Sequence, residues 1–506
     1  MTAIVDAVVI GGGPAGSAVG RLLASWGHSV RILNKTVDRS RGLGESLPPS
    51  TKKLLGAIDV LDVVDRAGFY KTTGNTVWWA SRERRVELFD PSGHVFGYQV
   101  FRPDFDRVLL ESAAAAGAEV CEALVRRAAT DAAGGVVEYE RDGRRETIAC
   151  RFVIDCSGRA GVVAKSYRRF ERNHRMYALV GVWSTTKASG ERVCDPTHTV
   201  VETYEDGWAW SVPISASTRH VGTMVDGTSP RVTSGRALAD AYRAEIEKTT
   251  QIARLLETDD GAAPQHTFAC DASLYSSDVY AGPSFVLVGD AGSFIDPLSS
   301  FGVKKALASA WVGAVVVHTC LTHPDRRSIA LDFFTDWERD VYATHLRRSR
   351  DFARAAHAQH PHPFWARRAE TEIPESHAID EDALMREADV AAAFARLKQC
   401  GDAELTLAEH VTFVRQPVIR GREIVVEDAI PMRSAAIRFL NNVDLVALAE
   451  LARQHRRVPD LADAYCRVHA PLPVASVLGG LSFLVAKGIL TAATHDQRED
   501  GERGES

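Results

Sequence analysis

An α/β fold is predicted, with a Rossmann-like domain interleaved with an antiparallel-sheet domain and a helical domain after them, on three observations. A glycine-rich turn, Gly11 to Gly16, lies between an apolar strand signal and a helical stretch. Two later apolar strand signals, at 151–154 and 284–288, run into turns at Asp155 and at Gly289-Asp290. Beyond about residue 360 the texture changes to short helical stretches around one hairpin signal.

The elements follow in chain order. Residues 6–10 read as a buried strand, Ser17 to Trp26 as a helix ended by Gly27-His28, and Ser29 to Leu33 as a second strand, which makes a β-α-β unit. Alternating segments at 76–79, 136–140, 177–183 and 199–213 suit an antiparallel sheet inserted at about 60–100 and 165–280. A helix at about 302–320 and an arginine- and alanine-rich helix at 331–360 complete residues 1–360, before the breaker His360-Pro361-His362-Pro363. A helical linker region spans 361–410, including a helix at 378–400. The last domain spans 411–490: a hairpin at 411–430 turning at Gly421, then helices at 434–440, 443–454, 459–469 and 473–487. Residues 491–506 are charged and are expected to form a disordered tail.

With 506 residues, about three domains are expected at ~150 residues each. Hydrophobic residues at 45% and charged residues at 25% are ordinary globular usage, which excludes a fibrous or wholly disordered chain. A net charge of -6 supplies no bulk positive field, so nucleic acid is excluded as the expected partner. Eight scattered cysteines without a C-x-x-C pair read as small buried hydrophobes in a reducing compartment, and a cytoplasmic protein is expected. No metal is expected: His357, His360 and His362 straddle a proline breaker, and Cys320 with His318 and His323 lacks a second thiol. The longest apolar run, Ala306 to Val317, falls short of the ~18 residues of a span, so no membrane is expected.

The glycine turn carries the first chemistry. Gly11 allows the tight turn, Gly13 lets a pyrophosphate approach the backbone, and Gly16 lets helix and strand pack closely. The helix start through Pro14 and Ala15 then offers unpaired N–H groups to phosphate. Asn34-Lys35 stands where an acidic ribose partner is usual, and Asn34 can still hydrogen-bond a ribose hydroxyl. With Asp155-Cys156-Ser157-Gly158-Arg159, Gly289-Asp290-Ala291 and Phe101-Arg102-Pro103 followed by Asp106, the chain resembles the glutathione-reductase-type FAD proteins over about residues 1–320. Within them it resembles the p-hydroxybenzoate-hydroxylase-like monooxygenases and flavin-dependent halogenases. The resemblance implies FAD as cofactor, Asp290 on its ribityl chain and Arg102 near it, with Lys35 and Arg41 completing the candidate cofactor contacts.

Three segments are similar to the halogenases in particular. Gly44-Glu45-Ser46 resembles the loop over the flavin, and Trp208-Ala209-Trp210-Ser211-Val212-Pro213 resembles the W-x-W-x-I-P motif. Phe294 to Leu298 followed by Gly302 resembles the segment beside the isoalloxazine, which makes Pro297, Gly302 and Val303 cofactor candidates. An alternating strand would by itself put Trp208 and Trp210 on one face. Halogenases carry a lysine in a G-F-x-x-K-x-G-like stretch; in Gly68 to Gly74, Lys71 sits one place early and Thr72 takes its position if the glycines align. Ser299 replaces a glutamate, and Phe301 replaces the small hydroxylic residue beside halide. A phenyl ring offers no donor to a desolvated anion. A monooxygenase on a halogenase-like frame is therefore favoured, with a C4a-hydroperoxide of the reduced flavin as oxidant, O2 as co-substrate and NAD(P)H or a flavin reductase as electron source. Lys71 is the candidate catalytic contact, and Trp208, Trp210 and Phe301 are the candidate substrate residues.

Residues 418–430 and the helices that follow resemble winged-helix peptide-recognition domains, which tilts the aromatic substrate toward a tryptophan in a peptide or protein, as in quinone-cofactor biogenesis. A helical cap that only stabilises the enzyme is the plain alternative. Two other functions stay open: a halogenase of an indole or phenol, and a flavin-bound partner-binding module with vestigial redox activity.

Overall fold

The computed structural model describes residues 4–184, 193–228, 236–257, 263–399, 403–432, 435–469 and 472–493. The chain divides into two units, 1–376 and 377–506.

Strand Val5–Ile10 is the centre of the first unit because Ala7, Val8 and Val9 are wholly buried. The sheet around it runs in the order 281–282, 285–287, 144–155, 5–10, 30–34 and 119–122. All neighbours but the first pair are parallel, as helical crossovers require. Helix Pro14–Ser25 packs on this sheet beside helices Arg102–Ala115 and Gly302–Thr322. Gly20 permits the close approach, since a Cβ there would stand 2.6 Å from Ile32 Cδ1.

A second sheet of seven strands runs 266–271, 176–184, 218–226, 207–213, 199–204, 74–78 and 85–88. A third, small sheet joins 44–47 and 70–72 to 97–101. Two apolar cores flank the seven-stranded sheet. One holds Trp208, Met224, Tyr342, Leu346 and Trp365, and the other Leu179, Ala209, Val221 and Tyr242.

Several expectations need correction. Strand Gly135–Arg141 does not join the inserted sheet; it pairs with Arg144–Asp155 and Leu124–Thr130, because the 12-residue strand 144–155 outruns its parallel neighbours and folds back at Asp142-Gly143. The stretch 199–213 is two strands, closed by the pairing of Tyr204 with Gly207. Helix Gly302–Thr322 is 21 residues and apolar enough to span a membrane by length and composition, longer than the apolar run counted from the sequence, and most of it is buried inside the protein.

The division at Ser376 also replaces the one expected at 360. Helix Pro363–Ala369 belongs to the first unit, where Phe364 and Trp365 are buried, while Glu404–Leu407 belongs to the second, paired with Leu490–Ala493. The stretch 361–410 expected as a helical linker region is thus divided between the two units. That pairing also makes 490–493 a strand, and the rest of the expected tail, 494–506, lies outside the described residues.

In the second unit, helices Glu381–Arg386 and Ala388–Gln399 stand where one was expected. Strands Val414–Arg420 and Glu423–Pro431 form the hairpin, with Gly421 at φ +60 in its turn. The helix expected at 434–440 is absent among the described residues. Ala436–Ile437 pairs back on the hairpin, and Leu440 pairs with Val443 across Asn441 (φ 50) and Asn442 (φ 66). Two consecutive left-handed asparagines make a tight strand turn, which overrides helix propensity. Helices Leu445–Leu451, Val458–Val468 and Val474–Ala486 close over a core of Leu405, Ile430, Val443, Leu448, Leu461, Leu481 and Phe483.

Candidate cofactor and substrate site

The glycine turn is held by close backbone contact. Gly11, at φ +99, donates its N–H to Leu33 O at 2.8 Å, and a Cβ on it would stand 2.5 Å from Cys156 O. A Cβ on Gly16 would stand 1.8 Å from Gly11 O. Around Gly13 the space is open, its nearest atom being Asp106 Oδ2 at 3.9 Å. Helix Pro14–Ser25 begins there with no side-chain cap and no acidic residue in its first turn, leaving its positive end free for phosphate. Asn34 also braces the turn: its Oδ1 accepts the Gly12 N–H at 2.9 Å. Lys35 and Arg41 are both exposed, and Arg41 donates to Ala269 O at 3.0 Å.

Above Gly13 lies a charge cluster. Arg102 starts the helix that follows strand Gly97–Phe101; its Nε and Nη2 bind Asp106 at 2.9 and 3.1 Å, and Nη1 binds Glu45 at 2.7 Å. Burial works against the Arg102 charge, but Asp106 and then Glu45 outweigh it and hold the guanidinium well above its usual range. Burial pushes the Asp106 carboxyl up, with Arg102 pulling it back. Glu45 and Ser46 sit on strand Gly44–Leu47, paired with Val100 and Gln99. Below them is a residue that sequence reading missed, His220, whose buried Nδ1 accepts the Gly44 N–H at 3.1 Å. Burial lowers it to about 4, so it is neutral and serves as an acceptor at neutral pH.

The turn Gly289-Asp290-Ala291 follows strand Phe285–Leu287, with Gly289 at φ +65. Asp290 Oδ1 is buried with no hydrogen-bond partner among the described residues. An acceptor left bare in that way calls for a donor from a ligand. The open cradle at Gly13, the uncapped helix start and the Asp290 oxygen fit a pyrophosphate and a polyhydroxyl chain, as FAD presents. Asp290→Ala is expected to weaken FAD binding at least tenfold, from the ~1.5–3 kcal/mol of a charged hydrogen bond. Fluorescence titration of apo-protein reads this, and unchanged affinity would remove Asp290 from the site.

Asp296 caps the turn Pro297–Ser299, and Ser300 at φ 52 leads to Phe301 and the start of helix Gly302–Thr322. Gly302 has open space where a Cβ would stand, and Val303 is buried. Trp208 and Trp210 share one face of strand Gly207–Pro213, as alternation alone requires. Trp208 is a core residue, 3% exposed, in edge contact with Trp79. Trp210 lies over Gly222, where a Cβ would stand 2.4 Å from its ring. With Leu43, Phe294, Leu298 and Phe301 it packs, partly buried, against the same apolar cluster. Lys71 is placed elsewhere. It is exposed on the small sheet with its ammonium 4.2 Å from the centre of the Phe96 ring, while Thr72 turns inward. Alternation along strand Tyr70–Thr72 places Lys71 on the solvent side.

The tryptophan halogenase family model matches residues 90–399. Tryptophan 2-halogenase from Chondromyces crocatus is 29% identical over 337 residues, 65% of this chain and 63% of that protein. The chain thus spans less than two thirds of that relative's length. Among solved structures, the flavin-dependent halogenase CmlS aligns with a TM-score of 0.74 at 22% identity, over 98% of this chain and 97% of that one. The peptidyl tryptophan dihydroxylase QhpG, essential for tryptophylquinone cofactor biogenesis, aligns with a TM-score of 0.67 at 22% identity, over 100% of both chains. At these identities the two structures establish a shared fold.

Proposed function

The chain belongs to the tryptophan halogenase family, whose cofactor is FAD, and on that premise we propose that it is a monooxygenase hydroxylating an aromatic side chain, a tryptophan within a peptide or protein. Phe301 carries this reading. Its ring stands at the head of helix Gly302–Thr322, edge-on to His345 at 5.7 Å, and offers no donor where a halide would have to be desolvated. The exposed Lys71 supports it, since no lysine of the small sheet reaches the apolar cluster around Trp210.

Bound FAD supplies two-electron activation of O2, with reducing equivalents from NAD(P)H or a flavin reductase. The glycine cradle, Arg102 with Glu45, and Asp290 would hold it. Trp210, Phe294, Leu298 and Phe301 line an apolar face that receives an aromatic ring and excludes water. The uncapped N–H groups at Gly302 favour negative charge at that end of the face. Likeness to the peptidyl tryptophan dihydroxylase over the whole of both chains supports a peptide-borne substrate, with the second unit as its carrier. We place the enzyme in the cytoplasm, in keeping with the seven free cysteines among the described residues.

The test is mass spectrometry of tryptophan-bearing peptides incubated with reductant and isotopically labelled O2. Labelled oxygen on the indole is expected. Chloride- or bromide-dependent gain of halogen would establish the halogenase instead, and tight peptide binding with neither product would leave the partner-binding module.

A further inference from the structure

Helix Gly302–Thr322 is apolar over most of its length, yet it buries a lysine. Lys305 is 3% exposed, and its ammonium donates to Gly289 O at 2.8 Å and to Ser293 O. One turn on, the fully buried Ser309 accepts the Gly289 N–H at 2.8 Å and donates to Glu338, which is itself fully buried on helix Arg327–Gln359. Both polar ends of the Gly289 residue are thus clamped from one helix face, because positions i and i+4 lie one above the other. Gly289 itself is wedged, since a Cβ on it would stand 3.0 Å from Ala15 Cβ and 3.4 Å from Ala306 Cβ.

The arrangement is costly. Burial pushes the Glu338 carboxyl up and the charge of Lys305 only partly offsets it, while among the described residues Glu338 Oε2 has no hydrogen-bond partner. Burying such charges costs several kcal/mol each, and an apolar replacement of similar volume is often neutral or stabilising. Stability is therefore a poor account of why they are here. Their common object is the Gly289 peptide, and the next residue is Asp290, with its bare buried oxygen.

We propose that Lys305, Ser309 and Glu338 are positioning residues for the cofactor: they lock the Gly289 peptide so that Asp290 presents its unpartnered oxygen to the polyhydroxyl chain of FAD. Lys305 also acts through its charge. Burial pushes the Asp290 carboxyl up, and Lys305 is the strongest influence pulling it back toward the ionised form that accepts a hydroxyl. The side-chain hydrogen bonds of Lys305 and Ser309 go to the turn 289–293 and to Glu338, so the proposal rests on the cofactor site and is independent of which aromatic substrate is used.

The experiment compares Lys305→Met, Ser309→Ala and the double variant Lys305→Met/Glu338→Leu in the full chain. Readouts are the FAD dissociation constant of apo-protein, by fluorescence titration, and the thermal midpoint of the apo-protein. Lys305→Met is expected to weaken FAD binding at least tenfold and to lower the midpoint. The double variant is expected to recover the midpoint and not the affinity, a split that a purely structural role would not produce. Recovery of both together, or affinity within twofold of the parent in Lys305→Met, overturns the proposal. Should the lysine variants fail to fold, Ser309→Ala decides: a severalfold loss of FAD affinity at an unchanged midpoint supports the clamp, and unchanged affinity overturns it.

Discussion

Gly16→Ala is expected to give no FAD-loaded protein. The added methyl would stand 1.8 Å from the carbonyl oxygen of Gly11, and that oxygen belongs to backbone which itself abuts Cys156 O. Relief requires the helix to move off the sheet, at a cost above the ~1–3 kcal/mol of ordinary overpacking. Gly13→Ala separates folding from cofactor binding, because its methyl would meet nothing closer than 3.9 Å. That variant should fold with a thermal midpoint near the parent's and lose most of its FAD affinity, the methyl occupying space a pyrophosphate needs. Flavin absorbance per protein and thermal denaturation of both variants read this. A Gly16→Ala protein that purifies yellow with a parental midpoint would mean the turn is looser than the structure shows.

Removing the arginine of the charge cluster should have the next largest effect. In Arg102→Met, Asp106 loses a two-pronged partner and Glu45 loses its only ion pair among the described residues. Stripping one member from a buried pair costs ~3–5 kcal/mol, and about 3 is expected here because 26% of the Arg102 side chain is exposed. The deficit should depend on pH. Asp106 already lies above its ordinary value in the folded protein, chiefly through burial, and losing Arg102 raises it further. A carboxyl raised on folding binds its proton more tightly in the native state, so stability falls as pH climbs from the unfolded value through the folded one. The cost of Arg102→Met is therefore expected to be full at neutral pH and to shrink on acidification through that window. Urea denaturation of parent and variant across this range measures it, and a pH-independent deficit would exclude Asp106 as its source.

The C-terminal unit shows where local reading stops. The stretch 434–440 reads as a helix in a one-dimensional pattern, but the left-handed Asn441 and Asn442 close Leu440 on Val443, and Asp444 then caps helix Leu445–Leu451 through the Ala447 N–H. Helix Pro363–Ala369 lay beyond an obvious breaker, yet Phe364 and Trp365 bury themselves in the first unit. Breakers mark where a chain turns, and burial decides to which core it returns.

The cofactor half of the site was legible because it depends on backbone geometry that few residues allow. Gly11 at φ +99, Gly16 against a carbonyl and Gly289 at φ +65 each need glycine for a steric reason, so their spacing is itself a signature. His220 and Lys305 carried no such mark; a lysine inside an apolar helix was the one signal that could have been followed. Thus the sequence by itself determined the α/β class, the glycine turn and the Asp290 turn. Only the tertiary structure decided that Lys71 faces solvent, that Asn34 braces the turn, and that Lys305 and Glu338 stand behind Asp290. The reason is physical: a side chain's role depends on which face of its element is buried and on partners distant in sequence, and neither is set by local spacing.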